Sequence, residues 1–122
     1  MSGPDPAVVS ARVEQVRNRI ADAGADPSSV ELLAVTKGFG PEVAQAAVEA
    51  GLVDLGENYA QELLAKAPVL DGAGVRWHFI GRLQRNKVRQ LAGTVRLWQS
   101  VDRAALGAEI ARRAPGAAVL VQ

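Results

Sequence analysis

Short apolar segments alternate with helical patterns along the whole chain, and this alternation is the feature that most restricts the fold. Five β-rich segments are predicted, at residues 30–36, 52–56, 75–80, 95–101 and 117–121. Helical patterns separate them, and another precedes the first segment, where Asp5 is a capping residue and Pro6 opens the helix. Strict alternation of this kind predicts a parallel sheet with right-handed crossovers. It leaves open whether the sheet is doubly wound or part of a barrel, although no nucleotide-binding glycine pattern is present.

Size and composition narrow the class of protein further. The 122 residues, 48% of them hydrophobic, predict one domain with a true core over positions 1–122. A net charge of +1 gives no reason to expect a nucleic-acid or membrane partner, and no apolar run approaches the roughly 18 residues of a membrane span. With no cysteine and one histidine, we expect neither disulfides nor a structural metal site, and the composition fits a reducing, cytoplasmic setting.

One lysine stands at the end of the first predicted strand. The apolar run LLAVT (Leu32–Thr36) is followed directly by Lys37 and Gly38. We predict this strand to be buried on both faces, because its residues hardly alternate between polar and apolar. Ligands of α/β proteins sit at the carboxyl ends of strands, and a lysine in partly apolar surroundings is a nucleophile suited to Schiff-base chemistry. An ordinary solvated lysine remains the alternative.

Polar residues also lie at or near the ends of the later predicted strands. They are Glu57 and Asn58 for the second strand, His78 for the third, Ser100 and Asp102 for the fourth, and Gln122 for the fifth. In a parallel sheet these ends share one rim. Asn58 also fits the first position of a helix capping box, and Asp102 is predicted to cap the next helix. Glu57 would pair with a neighbouring base that the sequence does not identify. His78 would be either a buried histidine bonded to the backbone or a residue lining a pocket.

Four motifs occur in a fixed order, namely LLAVTKG, GENYAQE (Gly56–Glu62), WHFIGRLQRNKVR (Trp77–Arg89) and SVDR (Ser100–Arg103). In this order and spacing they resemble the pyridoxal phosphate homeostasis protein family. The third motif is the most specific, and the resemblance extends from the first helix to Gln122.

The resemblance implies a fold, a cofactor and a site. The fold would be a (β/α)₈ TIM-type barrel related to the N-terminal domain of alanine racemase, here incomplete with about five parallel strands. The cofactor would be pyridoxal phosphate, held as an aldimine of Lys37 with Asn58 beside it. Strand alternation adds His78 and Ile80 to the pocket lining. The implied function is cofactor binding without robust catalysis, in the homeostasis of the cofactor and of amino and keto acids, and no catalytic residue is assigned.

The chain is shorter than such a barrel, which needs roughly 200 residues or more. In the family, later strands supply the loops that hold the cofactor phosphate. From five strands alone we expect weak cofactor retention, because charge-assisted phosphate contacts would be missing. We also expect self-association through the exposed edges of the first and fifth strands.

Two alternative functions remain at this stage. A racemase-like Schiff-base enzyme would need a second acid/base group on the other side of the cofactor ring, and Tyr59 is the one tyrosine. An RNA-binding module could use the basic residues of the predicted helix 84–92 and its approach, which are Arg82, Arg85, Lys87 and Arg89. A solvated helix surface explains those cations more simply.

Overall fold

The computed structural model of the chain describes residues 4–122. Within this range the helices are α1 (Pro6–Asp22), α2 (Pro41–Glu49), α3 (Ala60–Val69), α4 (Val88–Leu91) and α5 (Ala104–Arg113). The strands are β1 (Ala34–Val35), β2 (Asp54–Glu57), β3 (Arg76–Phe79), β4 (Val95–Val101) and β5 (Ala118–Val121). Short 3₁₀ turns lie at Pro27–Ser29 and Arg85–Lys87. The alternation of helices and strands predicted from the sequence is therefore confirmed.

The five strands form one parallel sheet in the order β1-β2-β3-β4-β5. Each strand pairs with the next one along the chain, as in the register of Leu55 with Trp77 between β2 and β3. A doubly wound sheet reverses its strand order at a switch point, whereas a barrel does not. The order therefore identifies the sheet as an arc of an incomplete barrel and settles the choice that the spacing of the segments left open.

Strand alternation gives the sheet two different sides. The side that faces the helices carries Leu55, Phe79 and Trp98, each at most 2% exposed and packed in one core cluster. The helices contribute to this cluster Leu63, Val88, Leu91, Leu106 and Ile110. The opposite side carries Asp54, Gly56 and His78, and corresponds to the inside of a barrel; we call it the inner face.

The first helix begins as its sequence predicts. The carboxylate of Asp5 accepts a hydrogen bond from the backbone N–H of Ala7 at 2.9 Å, and Pro6 occupies the first turn. Glycines with positive φ follow α1 and α2, at Gly24 and Gly51, where the chain must turn out of the helix. These signals are local, so the sequence was sufficient to place them.

The prediction for the first strand was wrong in length and burial. Residues 30–36 were expected to form a strand buried on both faces, but β1 is Ala34–Val35 and the Val35 side chain is 47% exposed. The reason is that β1 pairs with β2 alone and helices cover one side of the sheet. At the other edge, β5 is exposed along its whole length.

Two further local predictions need correction. The basic helix expected at residues 84–92 is a 3₁₀ turn followed by the single-turn α4, and no side chain caps the turn. Asp102 does not cap α5, whose first flanking residue is Arg103. The Asp102 carboxylate instead accepts a bond from Arg103 Nη1 at 2.6 Å and pairs with Arg82. An arginine on the neighbouring residue thus outcompetes the helix amides for this carboxylate.

Candidate functional site

Lys37 follows β1 at the carboxyl end of the sheet. The ladder continues one residue past the strand, because the Thr36 N–H donates to the Gly56 carbonyl at 3.0 Å. Val35 is in register with Gly56 and lies on the inner face, and Lys37 follows two residues later, in the turn after β1. The side chain of Lys37 is exposed. The partly apolar surroundings expected for this lysine are therefore not provided by residues 4–122.

Charged side chains of α3 hold the backbone on both sides of Lys37. Lys66 Nζ donates to the Thr36 carbonyl oxygen at 2.8 Å. The backbone N–H of Gly38 donates to the Glu62 carboxylate at 3.1 and 3.2 Å. Both peptide groups that flank the Lys37 Cα thus bond to α3.

A buried ion pair anchors one of these contacts. Lys66 Nζ lies 2.9 and 3.0 Å from the two carboxylate oxygens of Glu57, and the two side chains are 2% and 0% exposed. The Thr36 hydroxyl donates to the same carboxylate. Lys66 is the base with which Glu57 was expected to pair, and its identity was not predicted from the sequence. The signal was present, since Lys66 stands between Leu63 and Leu70 on the core-facing stripe of α3.

His78 takes part in a polar network on the inner face. Its Nε2 lies 3.0 Å from Asp54 Oδ1, and its Nδ1 lies 3.0 Å from the amide nitrogen of Gln99. The amide N–H of Gln99 donates, so Nδ1 accepts and the ring proton is on Nε2, facing Asp54. The expectation of a backbone hydrogen bond was wrong, although the expected burial is found at 5% exposure. Both ring nitrogens are satisfied within the chain, which leaves the faces and carbon edges of the ring for any ligand.

Asp54 of β2 bonds two side chains of β3, those of Arg76 and His78. Arg76 binds its carboxylate in a bidentate pair at 2.9 and 2.6 Å. Burial alone would raise the pKa of Asp54, but the hydrogen bonds from Arg76 and His78 outweigh it and hold the pKa below its ordinary value. Asp54 is therefore ionised at neutral pH and orients the His78 ring.

Ile80 and Asn58 lie at neighbouring strand ends. The Ile80 side chain reaches Gly56, where an added Cβ would lie 3.4 Å from Ile80 Cγ2 and 3.5 Å from Leu33 Cδ2. The carbonyl of Ile80 accepts a bond from the Ser100 hydroxyl at 2.7 Å. These contacts place Ile80 on the inner face, as strand alternation predicted.

Asn58 does not cap α3. The residue flanking that helix is Tyr59, and no side chain caps it, so the capping-box prediction was wrong. The Asn58 side chain instead lies against Gly81, where an added Cβ would overlap its Oδ1 and its carbonyl oxygen. The absence of a side chain at Gly81 thus allows the β2 and β3 ends to approach closely.

The basic residues that follow β3 lie at the surface. Arg82 is 80% exposed, and Arg85 and Arg89 are also exposed, as expected for a solvated surface. Among the residues described, no group of three or more metal-ligating side chains lies together. Nor does any helix within residues 4–122 have the length and apolar character needed to cross a membrane.

Comparison with known proteins supports the resemblance found in the four motifs. No protein-family model matches the chain. The pyridoxal phosphate homeostasis protein of Aquifex aeolicus is 41% identical over 102 residues, which cover 84% of this chain and 45% of that protein. The protein of the same name from Pseudomonas aeruginosa is 40% identical over 101 residues, covering 83% and 44%. The Escherichia coli K12 protein is 36% identical over 102 residues, covering 78% and 44%.

Solved structures agree with these sequence matches. An unknown protein from Bifidobacterium adolescentis superimposes with a TM-score of 0.78 at 33% identity, over 93% of this chain and 53% of that one. PipY of Synechococcus elongatus, solved with pyridoxal phosphate bound, gives a TM-score of 0.68 at 35% identity, over 80% and 46%. The chain spans about half the length of the curated relatives it matches. In sequence and in fold, the chain is therefore similar to about half the length of the pyridoxal phosphate homeostasis proteins.

Proposed function

We propose that this chain binds pyridoxal phosphate through an imine between Lys37 and the cofactor aldehyde, and that it serves the intracellular homeostasis of the cofactor and of amino and keto acids. The observation that carries the proposal is the position of Lys37. It is an exposed lysine just beyond the carboxyl end of β1, and alternation continued from Val35 would direct it to the inner face. A related protein, PipY, has been solved with this cofactor bound.

The other two lysines of the chain are less suited to the reaction. Lys66 is 2% exposed and paired with Glu57, so its amine is neither free nor reachable. Lys87 is half-buried in the 3₁₀ turn before α4 and does not follow a strand directly. Lys37 would hold the cofactor by a C=N bond between its side-chain nitrogen and the aldehyde carbon, with one water molecule released.

Side chains of β2, β3 and the turns that follow them fit the aldehyde and ring of such a ligand. Ile80 gives an apolar contact surface, Asn58 a neutral donor and acceptor, and His78 a ring whose edge is held by Asp54 and Gln99. The family resemblance assigns the cofactor phosphate to loops of later strands, so these residues would account for the aldehyde and ring alone.

The acid/base side chains of the chain fit a protein that binds the cofactor without robust catalysis. A racemase-like reaction needs a group that can exchange a proton with the bound substrate. Glu57 lies on the helix-facing side and is neutralised by Lys66, while both nitrogens of His78 bond to the chain. Tyr59 is 60% exposed at the start of α3. These observations favour a cofactor-binding protein over an enzyme.

Trapping the imine tests the proposal directly. The chain is mixed with excess pyridoxal phosphate, reduced with borohydride, digested, and mapped by mass spectrometry. We expect the reduced adduct mainly on Lys37, together with an imine absorbance band that Lys37→Ala abolishes. Lys87→Ala is the matched control and should keep both signals. Adducts spread evenly over Lys37 and Lys87, or an unchanged band in Lys37→Ala, would refute the assignment.

A further inference from the structure

We propose that Glu62 and Lys66 are positioning residues that fix the backbone of Lys37 for imine formation. The inference rests on the function proposed above. Glu62 and Lys66 are one helical turn apart on α3, and each bonds one of the two peptide groups next to Lys37. We call Glu62, Lys66 and the ion-pair partner Glu57 the α3 clamp.

The clamp restrains φ and ψ of Lys37, the two backbone torsions that set the direction of its side chain. The Thr36 carbonyl belongs to the peptide before Lys37, and the Gly38 N–H belongs to the peptide after it. Lys66 holds the first at 2.8 Å and Glu62 holds the second at 3.1 Å. With both peptide planes fixed, φ and ψ of Lys37 are fixed, and so is the direction in which its Cβ points.

Beyond Thr36, little else holds this turn. Thr36 is buried, and its N–H donates to the Gly56 carbonyl. The backbone bond within the turn joins the Phe39 N–H to the Thr36 carbonyl at 3.3 Å, which is long for such a bond. Gly38 has a φ of +80°, and the Phe39 side chain is 58% exposed. The clamp therefore restrains a turn whose residues 37–39 are exposed.

The buried half of the clamp is not explained by stability alone. Replacing a buried ion pair by apolar side chains is often neutral or stabilising, and the neighbouring positions of α3 show that Leu fits this interface. Apolar residues at both positions 57 and 66 could fill this space, but neither could donate to the Thr36 carbonyl. The pair provides what packing cannot, a charged donor directed at one backbone oxygen.

The clamp acts from the helix-facing side, whereas a ligand would meet Lys37 on the inner face. Weakening it should therefore lower the fraction of time that the amine is aimed at the aldehyde, without removing a ligand contact. Losing one charge-assisted bond, and with it part of this alignment, should reduce the imine equilibrium constant about fivefold.

The test separates covalent from non-covalent binding. The imine constant is titrated with pyridoxal phosphate by absorbance, and the non-covalent dissociation constant is measured with pyridoxine 5′-phosphate, which carries an alcohol in place of the aldehyde. Glu62→Ala should lower the imine constant about fivefold and change pyridoxine phosphate binding less than twofold. Glu62→Gln keeps an acceptor oxygen and should restore most of the loss.

A second variant examines the buried half. The double substitution Glu57→Leu with Lys66→Met removes both charges and leaves no unpaired ion, so the chain should fold. It should show the same selective loss of imine. Hydrogen exchange at the Gly38 amide gives a measurement without ligand, and this amide should exchange several-fold faster in Glu62→Ala.

Unchanged imine constants and unchanged Gly38 exchange in both variants would overturn the positioning role. So would an equal loss of pyridoxine phosphate affinity, which would indicate a general effect on the fold. Failure of the proposed function looks different: Lys37→Ala would then keep the imine band in the otherwise unaltered chain. The two proposals can therefore fail separately.

Discussion

The two sides of strand β2 carry acidic residues with opposite surroundings. Glu57 faces the helices and is fully enclosed with Lys66, whereas Asp54 lies on the inner face and binds Arg76, whose side chain is 36% exposed. The enclosed pair connects backbone segments of the fold. The open pair belongs to a network that includes His78. Charges three residues apart on one strand thus bond on opposite sides of the sheet, Glu57 to a helix and Asp54 to the next strand.

Breaking the enclosed pair should give the largest effect. Lys66→Met leaves Glu57 buried without a cation, and we expect the free energy of unfolding to fall by about 3–5 kcal/mol. The control is the double variant Glu57→Leu with Lys66→Met, which should recover most of this loss because no charge remains unpaired. Urea unfolding followed by circular dichroism measures both. Equal stability of the single and double variants would show that the pair is not enclosed as described.

The pair of Asp54 and Arg76 should make a smaller, pH-dependent contribution to the free energy of unfolding. The pKa of Asp54 is lowered in the folded chain, so its stabilisation is complete above the unfolded value of about 3.9 and is lost as pH falls through the folded pKa. We expect Asp54→Asn to flatten the decline of the urea midpoint below about pH 4. Glu109→Gln, on α5, is the comparison, since the pKa of Glu109 is also lowered by Arg113 and Arg112. A larger flattening in Glu109→Gln would contradict the importance of the inner-face network.

Substitutions at the sheet edges should have the smallest effect on folding stability. They should still have a clear effect on association between chains. Val121 is 83% exposed on β5 and Val35 is 47% exposed on β1. We expect the 122-residue chain to self-associate through such edges, and Val121→Lys to reduce this while changing folding stability by no more than about 0.5 kcal/mol. Sedimentation velocity over a range of concentrations measures it. Val8→Lys, on a 54% exposed helical position, is the control and should change nothing. Concentration-independent monomer for the unaltered chain would contradict the expectation.

Local sequence signals predicted the framework well. The bounds of β4 agree with the predicted segment 95–101, and Asp5 and Pro6 start α1 as expected. These features depend on residues close in sequence, where capping groups, proline and apolar runs act directly. The same signals placed Lys37 at the end of a strand.

Features that depend on distant partners were harder to predict. The exposure of β1 follows from which strand lies beside it, and the Lys66 partner of Glu57 lies on the next helix. Asp102 and Asn58 both have the side chains of capping residues, yet an arginine takes the first and Gly81 lies against the second. A single sequence shows that a side chain could form a contact, but not which of several candidates is nearest in space.

Because the strands are parallel, the turns before the strands lie at one end of the sheet and the turns after them lie at the other. The two ends differ in how far their turns can be altered without affecting the candidate site. Turns that lead into strands, such as residues 70–75 between α3 and β3, lie at the end opposite Lys37. Gly72 and Gly74 there both adopt positive φ, and an added Cβ at either would meet no neighbour within 4 Å. Evolution or a protein engineer could lengthen this turn, or attach a tag to it, and leave the mouth of the barrel undisturbed.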